Sequence, residues 1–235
     1  MVRESLPQIQ FNLTQESFPP LENGDRLTQT EFERRYIAAT HINKAELIEG
    51  IVYVASPARY NQHGKPHSRV ITWLGVYQAM TPGINLGVEP TVRLDLDNEP
   101  QPDAVLFIEP QAGGQTLLSS DDYIEGAPEL VVEIAASSVA IDTGSKKQVY
   151  RRNGVLEYII WESYENQIKW FYLVDGEYRS LSPDEDGIIR SRVFPGLWLA
   201  LEPLLNYQMG RVLEVLQTGL DSQEHREFVE QLGKT

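Results

Sequence analysis

The sequence predicts a mixed α/β fold around one hydrophobic core. Three observations carry that prediction. Periodic segments through the middle of the chain run in the order helix, three strands, helix, strand. One of those strands, Leu130-Val131-Val132 before Glu133, is apolar on both faces, as a strand between two layers must be. The chain has 235 residues, 41% of them hydrophobic and 23% charged, which suits one folded soluble domain that closes a core without staples.

Residues 1–27 are polar, carry Pro19 and Pro20, and read as an extended arm. Thr30 with Glu33 forms a capping-box pattern, and Phe32 and Tyr36 follow at helical spacing, predicting a short helix over 30–39. Segments 46–48 and 51–54 flank Glu49-Gly50 as a tight hairpin. Apolar positions Val70, Ile71, Trp73, Leu74, Tyr77 and Met80 predict a helix over 67–80 that stops at Thr81-Pro82-Gly83. Strands follow over 84–96, 104–108 and 130–135. A helix over 142–153 takes Asp142 as N-cap and Gly154 as its C′ residue. A strand over 155–161 precedes a second hairpin, 167–174 and 178–181, turning at Asp175-Gly176. A strand over 188–194, a helix over 204–216 and a last helix capped by Asp221-Ser222 complete the chain. The expected organisation is an arm (1–27), one α/β domain (28–206) and a helical extension (207–235) packed on that domain.

Lys and Arg total 20 against 34 Asp and Glu, a formal charge of −14, which argues against non-specific coating of nucleic acid or anionic membrane. The absence of Cys removes disulfides, thiolate zinc sites, iron–sulfur clusters and cysteine nucleophiles, and suits a reducing cytoplasm. No apolar run approaches the roughly 18 residues of a membrane span, and no signal-peptide core is evident. The charge is uneven. Residues 51–80 hold Arg59, Lys65 and Arg69 and no acid, residues 81–133 hold Arg93 among many acids, and 134–160 turn basic again. Phosphate-loop, dinucleotide, zincin and serine-hydrolase motifs are missing.

What remains is a carboxylate pair. Asp103 follows Pro102 at the mouth of one strand, and Glu133 lies late in the apolar run of the next. A carboxylate inside such a run must be at a strand end, paired, or on a metal. Two carboxylates brought together repel unless a divalent cation compensates, and oxygen-only ligands favour Mg²⁺ or Mn²⁺. Lys146 lies on the following helix, one turn before Tyr150, and can reach the same pocket along its stem. Lys147 points about a quarter turn away.

The ordered series ELIEGIVYVASPA, His63 and His67, QPDAVLFIEP, GAPELVVEIAASS and DTGSKKQVYRRNGVLEYIIW resembles the Uma-family endonucleases of the PD-(D/E)XK, restriction-endonuclease-like superfamily. The resemblance spans roughly 30–206. It implies a restriction-endonuclease-like αβββαβ core with an N-terminal hairpin and a C-terminal hairpin plus helices. It also implies Asp103 and Glu133 as metal ligands, with the Ile134 carbonyl as a further one and Glu46 as a third acid. Ala135 stands where the motif lysine would be, so the resemblance assigns that role to Lys146, or to Lys147 if the register slips. His63 and His67 would contact phosphate or assist proton transfer. The implied activity is metal-assisted hydrolysis of DNA phosphodiester bonds by a homodimer, with Mg²⁺ or Mn²⁺ as cofactor. Two other readings stay open: a catalytically weak nucleic-acid or protein-binding module on the same fold, and a two-carboxylate glycosidase.

Overall fold

The computed structural model describes residues 19–234. Most of the expected arm, residues 1–18, lies outside them. Its remainder runs along the first hairpin, with Leu21 buried and the Gly24 and Leu27 amides donating to the Val52 and Gly50 carbonyls at 2.8 and 2.9 Å.

Helix α1 (Gln29–Ala38) is capped two residues before the predicted Thr30, because Thr28 is the extended residue whose Oγ1 accepts from the Glu31 amide. Glu33 instead pairs with Arg93 at 2.7 Å. Strands β1 (Ala45–Ile48) and β2 (Ile51–Val54) form the expected hairpin. Glu49 and Gly50 both take positive φ, 53° and 71°, as a type I′ turn requires. A single π-helical turn, Tyr60–Gly64, leads into α2 (Lys65–Met80).

Strand β3 (Ile84–Val88) is shorter than predicted. Glu89 takes a φ of 50° and Pro90 offers no amide, so the ladder breaks there. Val92–Arg93 joins a separate small sheet with Ile124–Glu125 and Leu117–Leu118. Strands β4 (Ala104–Ile108) and β5 (Leu130–Ala135) match the prediction. The next helix begins earlier than expected, with a short turn (Val139–Ile141), a second π turn (Asp142–Lys146) and α3 (Lys147–Asn153). Asp142 is therefore not a cap: it sits inside the helical run with φ −68° and ψ −38°. Gly154 does close α3 in the left-handed region, at φ 86°.

Strands β6 (Glu157–Glu162), β7 (Gln167–Val174) and β8 (Glu177–Leu181) follow as a meander. Strand β9 (Ile188–Arg190) pairs with β10 (Trp198–Ala200) and is shorter than the predicted 188–194, because Ser191 Oγ takes the Val193 and Phe194 amides and turns the chain back. The predicted helix over 204–216 is split. A short helix, Leu201–Leu205, ends before Tyr207, whose φ of 58° breaks the run, and α4 (Met209–Leu220) starts beyond it. Ser222 caps α5 (Gln223–Leu232).

The main sheet has the order β8-β7-β6-β5-β4-β3, with β5–β6 its parallel pair and its other neighbours antiparallel. Alternation along β5 builds both layers. Leu130, Val132 and Ile134 face a core shared with Trp73, Leu74 and Tyr77 of α2 and with Val212 and Leu216 of α4. Val131 and Ala135 face Tyr150 of α3 and Tyr158 of β6. The C-terminal helices thus close one face of the sheet. The helix–three strands–helix–strand order is α2, β3, β4, β5, α3, β6: a mixed α/β fold with a restriction-endonuclease-like core. No helix among the described residues is long and apolar enough to cross a membrane.

Candidate active site

Strands β4 and β5 pair antiparallel with Ala104 opposite Val132 and Val105 opposite Val131. One step further along the same register, Asp103 stands opposite Glu133. Residues opposite each other share a face, and here it is the face covered by α3. The ladder does not continue between them: the Ile134 amide donates instead to Asp103 Oδ2 at 2.6 Å. Ile134, expected to lend a carbonyl to a metal, thus holds Asp103 through its amide.

Asp103 is buried and holds two further partners. His63 Nε2 donates to Oδ1 at 3.0 Å, and Lys44 Nζ lies 3.6 Å from the same oxygen. His67 Nε2 donates to the Asp103 carbonyl at 2.9 Å. Both histidines lie on the stretch from the first π turn into α2 and meet Asp103 four residues apart. Burial pushes the Asp103 carboxyl up, but His63, Lys44 and the Ile134 amide outweigh it and hold it at about 2. The Asp103 carboxylate in turn raises His63.

Glu133 is buried among different partners. Its Oε1 lies 2.7 Å from Lys146 Nζ and accepts from the Tyr150 hydroxyl at 2.8 Å. Lys146 is 2% exposed and also reaches Glu46 Oε1 at 2.8 Å and Asp142 Oδ1 at 3.7 Å. Glu46 is placed by the Gln101 amide, which donates to its Oε1 at 2.7 Å and ties the β1–β2 hairpin to the approach to β4. The second π turn matters for this placement. Its wider helical turn ends at Lys146, so that Lys146 and Tyr150, four residues apart, both face Glu133.

Both members of the Glu133–Lys146 pair hold their protons more tightly than in water. Burial, with Asp142, Asp103 and Glu46 nearby, pushes Glu133 up to about 8 despite the ammonium. Burial lowers Lys146, but Glu133, Glu46 and Asp142 outweigh it and hold the ammonium well above its usual range. Asp142 is raised by burial too. The cluster crowds four carboxyl groups, Glu46, Asp103, Glu133 and Asp142, around Lys44, Lys146 and His63, and the raised Glu133 and Asp142 reflect that crowding together with their burial. An all-oxygen donor set of this kind fits a hard divalent cation. It is not a finished ligand cage: among the described residues no three His, Asp or Glu side chains are grouped to hold a metal ion. The Lys146 ammonium stands between Glu46 and Glu133 instead.

The structure thus brings Asp103, Glu133, Lys146, Glu46, His63 and His67 together. It does not bring Lys147, whose Nζ lies 3.5 Å over the Phe171 ring on β7. One residue along the helical run turns it about 100° away. Sequence reasoning missed Lys44, although it lies two residues before Glu46 and so shares its face on an extended segment. It also missed Asp142 as a partner, although Asp142 precedes Lys146 by one helical turn.

Comparison with known proteins adds to this geometry. Residues 30–202 match a family model described as "Uma2: Putative restriction endonuclease". Among solved structures, the chain is similar to a crystal structure from Anabaena variabilis ATCC 29413, described as "a putative nuclease belonging to DUF820". The TM-score is 0.54 at 16% identity, covering 74% of this chain and 97% of that one. At that identity the likeness speaks for the fold. A search of curated proteins finds no match. The family model covers most of the chain, from the helix before the first hairpin to the start of the C-terminal helices, and the chain belongs to the Uma2 family.

Proposed function

We propose that the chain is a metal-dependent endonuclease that hydrolyses DNA phosphodiester bonds at the Asp103–Glu133–Lys146 cluster. The observation that carries this is the placement of two buried carboxylates one register step beyond the β4–β5 ladder, on the same face, with an ammonium group on one of them. Asp103 and Glu133, with Glu46 and the Ile134 carbonyl nearby, would hold Mg²⁺ or Mn²⁺. Such a cation supplies charge neutralisation at the phosphoryl oxygen and acidity to an attacking water.

The chain's own groups do the rest. Lys44 and His63 are the outer members of the cluster, with side chains 25% and 19% exposed against 4% for Asp103. An arriving phosphate meets those two cations first, and they position it above Asp103. His63 keeps the proton at Nε2 and acts as a donor. Lys146 keeps its ammonium charge, orients the attacking water and offsets charge as the phosphorane-like transition state forms. The burial of Glu133 under Tyr150 and α3 keeps bulk water from screening these charges.

Cutting both strands of a duplex calls for two such sites, and a C₂ homodimer is the commonest way to supply them. A cysteine-free chain suits a cytoplasmic setting. A second reading, a catalytically weak binding module, is favoured by one feature: Lys146 fills the space between Glu46 and Glu133 rather than standing beside a ligand cage.

Supercoiled plasmid separates the two. With Mg²⁺ or Mn²⁺ the protein should convert it to nicked and linear forms, EDTA should stop this, and Asp103→Ala should lose at least about a hundredfold in rate. Lys146→Ala should lose most turnover and Lys147→Ala little. Cleavage by Asp103→Ala at the wild-type rate would remove the site, and binding without cleavage under every metal would favour the module.

A further inference from the structure

The cluster accounts for Lys44, His63, His67 and Lys146 but not for the basic face on the other flank of α2. Lys65 and Arg69 are four residues apart on that helix and so lie side by side. Neither forms an ion pair among the described residues, and the sequence around them, 51–80, contains no acid. Most other Arg side chains in this acidic chain are matched with carboxylates, as Arg35, Arg93, Arg152, Arg190 and Arg211 are. Two uncompensated cations side by side repel each other, so something must hold them there.

Part of that support is Tyr207. Lys65 Nζ lies 3.9 Å from its ring centroid and the Arg69 guanidinium carbon 4.8 Å. The ring stacks on buried Trp161, with centroids 6.3 Å apart and planes at 25°. Tyr207 is a non-glycine residue at φ 58°, 36% exposed, at the break between the short helix Leu201–Leu205 and α4. Such a conformation persists only where the surroundings impose it. Arg69 Nη1 donates to the Lys65 carbonyl at 2.8 Å and to Ser68 Oγ at 3.2 Å, which ties the guanidinium to the first turn of α2, while its Nε is buried without a hydrogen-bond partner.

The patch is joined to the proposed catalytic centre through the sheet. Trp161 is the register partner of Ile134, and the Ile134 amide holds Asp103. From β4 across β5 to β6 is two inter-strand steps, about 10 Å, and Tyr207 stacks a further 6.3 Å off Trp161. That distance is the reach of a few nucleotides, at about 3.4 Å of duplex axis each. Helix α2 therefore presents histidines to Asp103 from one flank and an unpaired Lys–Arg pair from the other, at the same end of the sheet.

We propose that Lys65 and Arg69 form a backbone-phosphate subsite that holds the polynucleotide a few nucleotides from the scissile bond, with Tyr207 as the positioning residue that aims both cations. This rests on the nuclease reading of the neighbouring cluster. The test is binding rather than cleavage. Fluorescence anisotropy of labelled single-stranded and duplex DNA is followed against salt with the full chain, in EDTA and in Ca²⁺.

Wild type should bind, and Lys65→Ala/Arg69→Ala should bind roughly tenfold more weakly. Its salt dependence should be shallower by about 1.4 in log–log slope on single strands and about 1.8 on duplex, two phosphate contacts' worth. Lys65→Gln/Arg69→Gln, which keeps the stems, should behave the same way if the alanine pair folds poorly. Tyr207→Ala should weaken binding without changing the slope, since both charges remain. The charge-matched control Arg179→Ala/Arg211→Ala should bind as wild type. Wild-type affinity and slope in a folded Lys65/Arg69 double variant would overturn the subsite and leave the catalytic reading untouched. A wild-type chain that binds no DNA in either condition would overturn both.

Discussion

Lys146 carries its charge at 2% exposure, and without it Glu46, Glu133 and Asp142 face each other with no ammonium among them. Removing one partner of a buried ionic cluster costs about 3–5 kcal/mol. Lys146→Met should therefore unfold at clearly lower urea than wild type at pH 8. The carboxylates left behind would keep protons in the folded state that they release on unfolding, so the deficit should shrink as the pH falls toward 5. A deficit that grows on acidification would contradict the crowding of raised carboxyl groups around Lys146. Glu157 gives a second residue-scale prediction, away from the cluster. Burial pushes it up to about 7, against donors from Arg192, Ser191, Val193 and Trp170. The folded chain then binds more protons than the unfolded one between about pH 4.5 and 7. The Glu157 contribution to stability is full below that window, falls by about 3 kcal/mol across it and is flat above. The difference in denaturation midpoint between wild type and Glu157→Gln should follow that slope, since the raised Glu133 and Asp142 titrate in both.

At the scale of elements, the two π turns do more than connect. Tyr60–Gly64 carries His63, and Asp142–Lys146 carries Lys146; each runs directly into an α-helix whose next turn supports the same site, through His67 and Tyr150. Neither turn was legible in the sequence, because a π turn and an α turn share the same apolar spacing over five residues. What was legible is the hairpin at Glu49-Gly50, the strands Ala104–Ile108 and Leu130–Ala135, and the helix C′ glycine at Gly154. In each case local backbone chemistry and burial pattern point to one answer. The misreadings sit where a single residue overrides periodicity: Pro90 in the predicted strand 84–96, Ser191 in 188–194, and Tyr207 in 204–216. The docking of α4 is similarly decided by one residue. A Cβ on Gly219 would lie 2.3 Å from the Gly196 carbonyl oxygen and 2.8 Å from Trp198 Cγ. Gly219→Ala should cost about 1–3 kcal/mol by overpacking, read as a lower thermal midpoint. A variant as stable as wild type would show that α4 can shift off β10 freely.

Taken as a whole molecule, the chain gathers the candidate site at one end of a six-stranded sheet, with residues from both faces. The α3 face holds the carboxylates and Lys146, and the α2 face brings the histidines. The pairing of Asp103 with Glu133 was legible as two carboxylates on neighbouring strands, and the β4–β5 register makes it specific. Lys44 was legible only as a neighbour of Glu46 on one face of the hairpin, since its contact with Asp103 depends on that hairpin docking beside β4. An acidic chain with a surplus of buried carboxylate at one sheet end is an electrostatic argument for a cation there. A Mn²⁺-soaked crystal tests it most directly. An anomalous-difference peak in contact with both Asp103 and Glu133, absent in Asp103→Ala crystals, is the expected result. A fully soaked crystal with Mn²⁺ only elsewhere, and Lys146 still seated between Glu46 and Glu133, would contradict it.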